Sequence, residues 1–411
     1  MAIIKPFQGF RPPSELASAV SSPPYDVMTS DEAREMVKDN PDSFLRIIKP
    51  EIDFTQENEP RGDSLHKHGF NNLQSFIKDG KLKQDEKPSF YIYQITMGNH
   101  TQTGIMAAVS IEEYNQGLIK KHEFTHPEKE NDRTRHIEIT NANTGPVFLT
   151  FQNDSQFQNW ISDIKTQSPD NSFNADDGTH HTLWKTDSQK QIEVLTDYFN
   201  TIPALYIADG HHRAASASRV QKIREDSNPN HTRDEPYNFF LSVIFPHDEM
   251  QILDYNRVVK DLNGLTEEQF FKSVKTNFTL SPFSSLLPPA NAHTYSMFLN
   301  TNWYHLEAKE HIKSKDPVEG LEASILQKYL LTPILDIDDP RTNKRIEFVG
   351  GIRGIKELER RCETDCAVAF ALPPVSIDQL LSVADSGKVM PPKSTWFEPK
   401  LRSGLVVRLL D

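Results

Sequence analysis

The chain is nearly without cysteine. Cys362 and Cys366 are the two among 411 residues. That excludes a disulfide framework and leaves, at a spacing of four in an expected helix, two ordinary thiols. Long apolar runs are missing too. No window approaches the ~18–20 apolar residues of a membrane-spanning helix, and Met1 to Phe10 has no apolar core or cleavage pattern of a secretory signal. A cytoplasmic protein with no membrane partner is expected, so the triplets at Asn99 and Asn277 and the Arg61-Gly62-Asp63 tripeptide carry no weight. Basic residues are outnumbered, Lys+Arg 45 against Asp+Glu 58, for a net charge of −13. Contact with a nucleic-acid backbone needs a clustered basic face, and none is seen, so no nucleic-acid partner is expected. Neither G-x-G-x-x-G nor G-x-x-x-x-G-K-S/T occurs, which argues against a dinucleotide domain or a P-loop.

Hydrophobic content of 36% with 25% charged residues suits a globular chain, and its length exceeds one ordinary domain. The pattern divides it into an N-terminal region, 1–88, a core, 89–262, and a C-terminal α/β region, 263–411, with a break near Asn263-Gly264. Thr29 caps a helix through Glu32 to Val37. Phe70, Leu73, Phe76 and Ile77 mark one face of a second helix, about His66 to Asp79. Phe90–Ile95 and Gly104–Ile111 flank a turn at Gly98-Asn99 and predict a hairpin. Strands at Pro146–Phe151, His181–Lys185 and Phe239–Phe245 follow, with helices at Ser155–Lys165 and Asp187–Asn200. Lys120–Asn143, Thr166–Thr179 and residues 224–236 read as polar, solvated segments, and Ser281–Pro289 as a Pro/Ser-rich connection. The fold class expected is α+β with a mixed, largely antiparallel central sheet and flanking helical regions.

Chemistry concentrates in Tyr206-Ile-Ala-Asp-Gly-His-His-Arg-Ala-Ala-Ser-Ala217. An apolar strand, Pro203 to Ala208, turns at Asp209-Gly210 into a segment of good helix propensity, Ala214 to Ile223. A strand that hands over to a helix through glycine gathers backbone N–H groups and the positive end of a helix dipole, which suits an anion. Arg213 can grip a phosphate with two parallel hydrogen bonds, and Asp209 can hold an accompanying Mg²⁺. A surface turn with polar residues is the bland alternative; five such residues at one strand end favour a site.

The second cluster is Lys120 to His136. His122-Glu-Phe-Thr-His126 matches the H-E-x-x-H letters of zinc proteases, but that pattern needs a continuous helix, and Pro127 pushes His126 out of helical backbone. Glu123 is the better functional candidate, as a general base; Arg133 and Arg135 can clamp phosphates. A solvated loop with weak ion pairs is the competing reading. Gly350-Gly-Ile-Arg-Gly354 reads as a tight turn between a strand and a helix. Lys393 and Lys400 are either phosphate-reaching or ordinary surface lysines.

Several blocks together resemble the family known as domain of unknown function 1015: Pro23-Pro-Tyr-Asp-Val27, His122-Glu-x-Thr125 with Asp132-Arg133, Ala208-Asp-Gly-His-His-Arg213, Asp254-Tyr-Asn-Arg257, Val349-Gly-Gly351 and Met390-Pro-Pro-Lys-Ser-Thr-Trp-Phe-Glu-Pro-Lys400. The Asp-Gly-His-His-Arg block is also similar to the nucleotide-binding turn of free L-serine kinases of the ParB/sulfiredoxin-like fold. The resemblance implies a ParB/sulfiredoxin-like nucleotide-binding core and a kinase using ATP or ADP with Mg²⁺ to make O-phosphoserine. It implies Asp209 as metal or phosphate-network carboxylate, and Gly210, His211, His212 and Arg213 at the phosphates, with Asp209, His212 and the base Glu123 catalytic. The family motif carries Tyr after the Arg; this chain has Ala214. The partner expected is a small-molecule substrate, free serine or a similar amino acid, with homodimerisation left open. The alternatives are a ParB-like nucleotide-binding regulatory protein without turnover and a metal hydrolase on His122 and His126.

Overall fold

The hairpin forms where the alternation places it: Phe90–Met97 and His100–Ser110 pair antiparallel from Met97↔His100, around Gly98 at φ +58°. The computed structural model describes residues 2–55, 57–282, 289 and 291–411. They form two compact units, Met1–Lys121 with Thr125–Met250 and Pro399–Asp411, and His122–Phe124 with Gln251–Glu398.

The first unit holds a nine-stranded sheet. Its strands are β1 (Ile4–Lys5), β2 (Phe90–Met97), β3 (His100–Ser110), β4 (Ile119–Lys120), β5 (Val147–Phe151), β6 (Asn171–Asn174), β7 (Thr179–Thr186), β8 (Leu205–Asp209) and β9 (Phe239–Pro246). The order is β4-β8-β5-β9-β3-β2-β7-β6, with β1 on β3. Pairings β8/β4 and β9/β5 are parallel and the rest antiparallel, so the α+β, mixed and largely antiparallel expectation describes it. Every residue of β9 is buried, as a central strand covered on both faces requires.

Five helices matter to the site: α1 (Asp63–Lys78), α2 (Pro127–Thr140), α3 (Ser155–Lys165), α4 (Gln189–Thr201) and α5 (His211–Ser227). Phe157 and Ile161 of α3 and Leu195 and Phe199 of α4 pack with Ile92, Ile105, Leu149, Phe151 and Ile207 of the sheet, joined by Ala214 and Ala217 of α5. Thr29 caps the Ser30–Met36 helix in a reciprocal box with Glu32.

The structure differs from the sequence expectation in the charged stretch. Residues 127–140 are helical, not loop, because Pro127 takes the first helical position and Glu128 and Glu130 the first turn. Thr134, His136, Ile137 and Thr140 give α2 a buried side. Residues 122–126 are not helical, so the H-E-x-x-H geometry is not made. Thr166–Thr179 contains β6, and α5 runs on to Ser227 into the expected loop. Ser281 and Pro282 end a strand; 283–288, most of the expected connection, lie outside the described residues.

The second unit holds a six-stranded antiparallel sheet of β10 (Tyr255–Val259), β11 (Phe278–Pro282), β12 (Thr294–Leu299), β13 (Asn302–Ala308), β14 (Ile346–Gly350) and β15 (Val368–Ala371), in the order β11-β13-β12-β15-β10-β14. Gln251–Leu253 and Trp396–Glu398 form a separate pair. Among the described residues no helix is long and apolar enough to cross a membrane.

Candidate functional site

Strand β8 does not end evenly. Ile207 faces Leu149 of β5, yet Asp209 faces Phe148, so Ala208 is an extra residue in the ladder. A bulge of this kind bends the strand and re-aims the next side chain. Gly210 follows at φ +92°, a left-handed conformation that glycine adopts without steric cost. Its N–H donates to Asp209 Oδ1 at 2.8 Å, and the helical ladder starts when Ala214 N–H donates to the Gly210 carbonyl at 3.1 Å. Strand, bulge, turn and helix start thus fall within seven residues.

Asp209 is held by Lys400, whose ammonium donates to Oδ2 at 3.0 Å. Burial pushes the Asp209 carboxyl up, but Lys400 and Arg213 outweigh it and hold the group well below the usual carboxylate range. About a third of the Asp209 side chain is still exposed, against 17% for Lys400. Lys400 itself is fixed from two residues further on. Arg402 Nε donates to His181 Nε2 at 3.1 Å, and His181 Nδ1 lies 2.8 Å from the Tyr93 hydroxyl. Because Nε2 accepts, the neutral ring carries its proton on Nδ1. Burial, with Arg402 next, pushes His181 down to about 3.

Arg213 turns to the other side of the turn. Its Nη1 donates to the Pro146 carbonyl at 2.7 Å and its Nη2 to Asp26 Oδ1 at 3.3 Å. Its guanidinium lies 5.6 Å from the Tyr25 ring, and that of Arg133 lies 4.2 Å from the same ring. Two cations on one aromatic face pair suit the ring quadrupole. Burial, with Asp26 adding to it, raises the Tyr25 phenol to about 12, so it stays neutral. Arg133 also binds Asp132 at 2.8 and 2.5 Å and the Ile48 carbonyl at 3.2 Å. Gly145 keeps this wall close, since a Cβ would stand 2.9 Å from Ser403 Oγ and the hydroxyl would have to turn away. The cleft lined by Tyr25, Arg133, His136, Gly145, Arg213 and Ser403 has about 30 Å³ of free space. That admits a water or two.

The expected site residues separate into groups. Asp209, Gly210, Arg213 and Arg133 come together with Lys400, Tyr25 and Asp26. His212 is half-buried and accepts a hydrogen bond from the His126 N–H on Nε2 at 2.9 Å, which puts its neutral-state proton on Nδ1. His211 is buried. Arg135 is half-buried and paired with Asp63 and Glu138. Glu123 belongs to the second unit, in a segment tied to the tail block: the His122 carbonyl accepts from Met390 N–H at 2.8 Å, and His122 Nε2 lies 3.4 Å from Thr395 Oγ1. Ala214 is fully buried in the core, so the departure from the family motif at this position falls in the packing.

Tyr25, Asp26 and Lys400 were not assigned to the turn from sequence. The signals were the rigid Pro-Pro-Tyr-Asp segment and a lysine in a proline-punctuated tail. What the arrangement can do is hold anionic oxygen at a helix start beside one carboxylate and one ammonium, with an arginine bracing the turn from behind.

The chain belongs to the family described as protein of unknown function, DUF1015, whose profile matches residues 4–324. No curated protein matches it. Among solved structures it is similar to a variant of a free serine kinase in complex with ADP, at 11% identity, covering 74% of this chain and 92% of that chain, TM-score 0.36. It is also similar to a conserved hypothetical protein from Pyrococcus furiosus, at 12% identity, 73% and 93% coverage, TM-score 0.34. A third is a C-terminally truncated SbnI from Staphylococcus aureus, at 11% identity, 71% and 82% coverage, TM-score 0.37.

Proposed function

We propose that this DUF1015 member is a nucleotide-dependent kinase that transfers a phosphoryl group from ATP or ADP to the hydroxyl of free L-serine. The observation that carries the reading is the convergence, at one helix start, of Asp209, Gly210 and Arg213 with Lys400 from the tail and Tyr25-Asp26 from the N-terminal segment. Three blocks far apart in sequence build one charged turn, and phosphoryl transfer asks a protein mainly to position phosphates and neutralise charge.

In this reading the start of α5 and Lys400 hold nucleotide phosphate oxygens, and His212 donates from Nδ1. Arg213 keeps the turn rigid through Pro146 and Asp26. Glu123 is the proposed base that takes the serine proton, a role worth roughly 10²–10⁴-fold. Among the described residues no group of three or more His, Cys, Asp or Glu forms a metal cage. A single carboxylate still fits Mg²⁺, which takes one or two protein carboxylates and fills its other positions with phosphate oxygens and water. Bound there, the ion would neutralise charge on the transferring group, and Asp209 would exchange Lys400 for it.

The test is incubation of the pure full-length chain with ATP or ADP, Mg²⁺ and L-serine, with O-phosphoserine followed by ³¹P NMR. Product that disappears in Asp209→Asn supports the reading. Nucleotide binding without product, across pH and metal, would replace it with the regulatory binding module.

A further inference from the structure

Strand β10 carries a buried cation with no counter-ion among the described residues. Arg257 is 4% exposed. Its guanidinium has two contacts among the described residues: Nη1 donates to the Tyr255 carbonyl, and the Phe348 ring lies 5.4 Å away. Among the described residues no carboxylate lies within ion-pair distance. The nearest in sequence, Asp254, is engaged elsewhere: its carboxylate accepts from Asn256 Nδ2, and its carbonyl accepts from Gly351 N–H at 2.7 Å. Burial drives the Arg257 guanidinium down to about 10. A buried charge is ordinarily paired, since leaving one unpaired costs several kcal/mol. Among the described residues Nε and Nη2 have no hydrogen-bond partner, yet neither is fully enclosed, unlike Arg34 Nε and Arg46 Nε. The open side of the fork therefore keeps some accessible surface.

The surroundings suit an organic anion. Tyr255 stands edge-on to Trp396 at 5.2 Å and to Phe348 at 6.0 Å. Lys393 holds its ammonium 5.8 Å from the Tyr255 ring, from a backbone at φ +58° that a non-glycine residue adopts only at a cost. Trp396 lies so close over Gly350 that a Cβ there would meet its ring at 2.6 Å. One guanidinium fork, one ammonium and three aromatic rings thus meet at the β10/β14 edge of the second unit.

We propose that Arg257 is the anchor of an anion site in the second unit, taking the carboxylate or phosphate of a small organic molecule whose body lies on the aromatic rings. The planar fork accepts either oxyanion through two parallel hydrogen bonds.

The experiment uses the full-length chain at constant ionic strength. Sodium phosphate, sodium benzoate and sodium chloride are titrated while Trp396 fluorescence and the unfolding midpoint are followed, with Trp396→Phe identifying the local signal. Saturable binding of benzoate or phosphate, weakened about tenfold or more in Arg257→Met and partly restored in Arg257→Lys, is the expected result. Benzoate winning identifies a carboxylate ligand, and phosphate winning a phosphorylated one. Lys400→Met is run beside them, so that phosphate bound at the Asp209 turn is recognised by its loss there. Without anion, Arg257→Met is expected to be at least as stable as the native chain, because it removes an unpaired buried charge. If it fails to fold, Arg257→Lys, which keeps the charge and loses the fork, decides. Oxyanion response unchanged in the variant, or absent from the native chain, overturns the proposal.

Discussion

Replacing Lys400 with Met is the most direct probe of the turn. At 3.0 Å and an effective dielectric constant of ~20, the gross attraction between Lys400 and Asp209 is roughly 5 kcal/mol. Desolvation of both partners, and water's access to about a third of the Asp209 side chain, offset most of it. Exposed pairs keep about 0.2–1 kcal/mol and broken buried pairs lose about 3–5. Between those limits, a loss of about 1–2 kcal/mol is expected. Chemical denaturation of the native chain, Lys400→Met, Asp209→Asn and the double variant gives the coupling by a double-mutant cycle. Because the folded Asp209 carboxyl lies below its unfolded value of 3.8, the pair's contribution is present above that pH. It is lost as pH falls through the folded value. The coupling is therefore expected to be as large at pH 5 as at pH 7. A coupling under about 0.3 kcal/mol at pH 7 would refute the pairing, and with it the placement of the tail at the turn.

Gly210→Ala forces a left-handed alanine, and a loss of roughly 1–2 kcal/mol is expected, with a larger proportional drop in phosphoserine formation if the turn cradles phosphate. Tyr25→Phe should match the native chain in stability, whereas Tyr25→Leu removes two cation–ring contacts and should cost about 1–2 kcal/mol by urea midpoint. His181 takes up a proton on unfolding with a value of 6.5 but holds it off down to about 3 when folded. Stability must therefore fall with acid across that window by up to ~1.4 kcal/mol per pH unit. His181→Gln should flatten that slope, and an unchanged slope would contradict the buried neutral ring.

The strand–glycine–helix handover at Asp209-Gly210 was legible because each part has a local cause: a buried apolar run, a residue free at positive φ, and a good helix former after it. The hairpin at Gly98-Asn99 and the capped helix after Thr29 were legible for the same reason. Helix α2 was not. Its composition is polar, and its helical state depends on Pro127 at the first position and on a buried stripe that exists when other elements pack against it.

Local chemistry in the sequence thus determined the type of the main elements, the mixed character of the main sheet and the turn with its charged residues. Which charges meet was decided by the tertiary structure alone. Lys400 is 191 residues from Asp209 and Asp26 is 187 from Arg213, and no periodicity reaches that far. Folding also settled that Arg257 is enclosed with no acid beside it among the described residues, while Arg135, equally basic in the sequence, pairs with Asp63. A side chain's partners depend on strand pairing and burial, which the whole chain sets together.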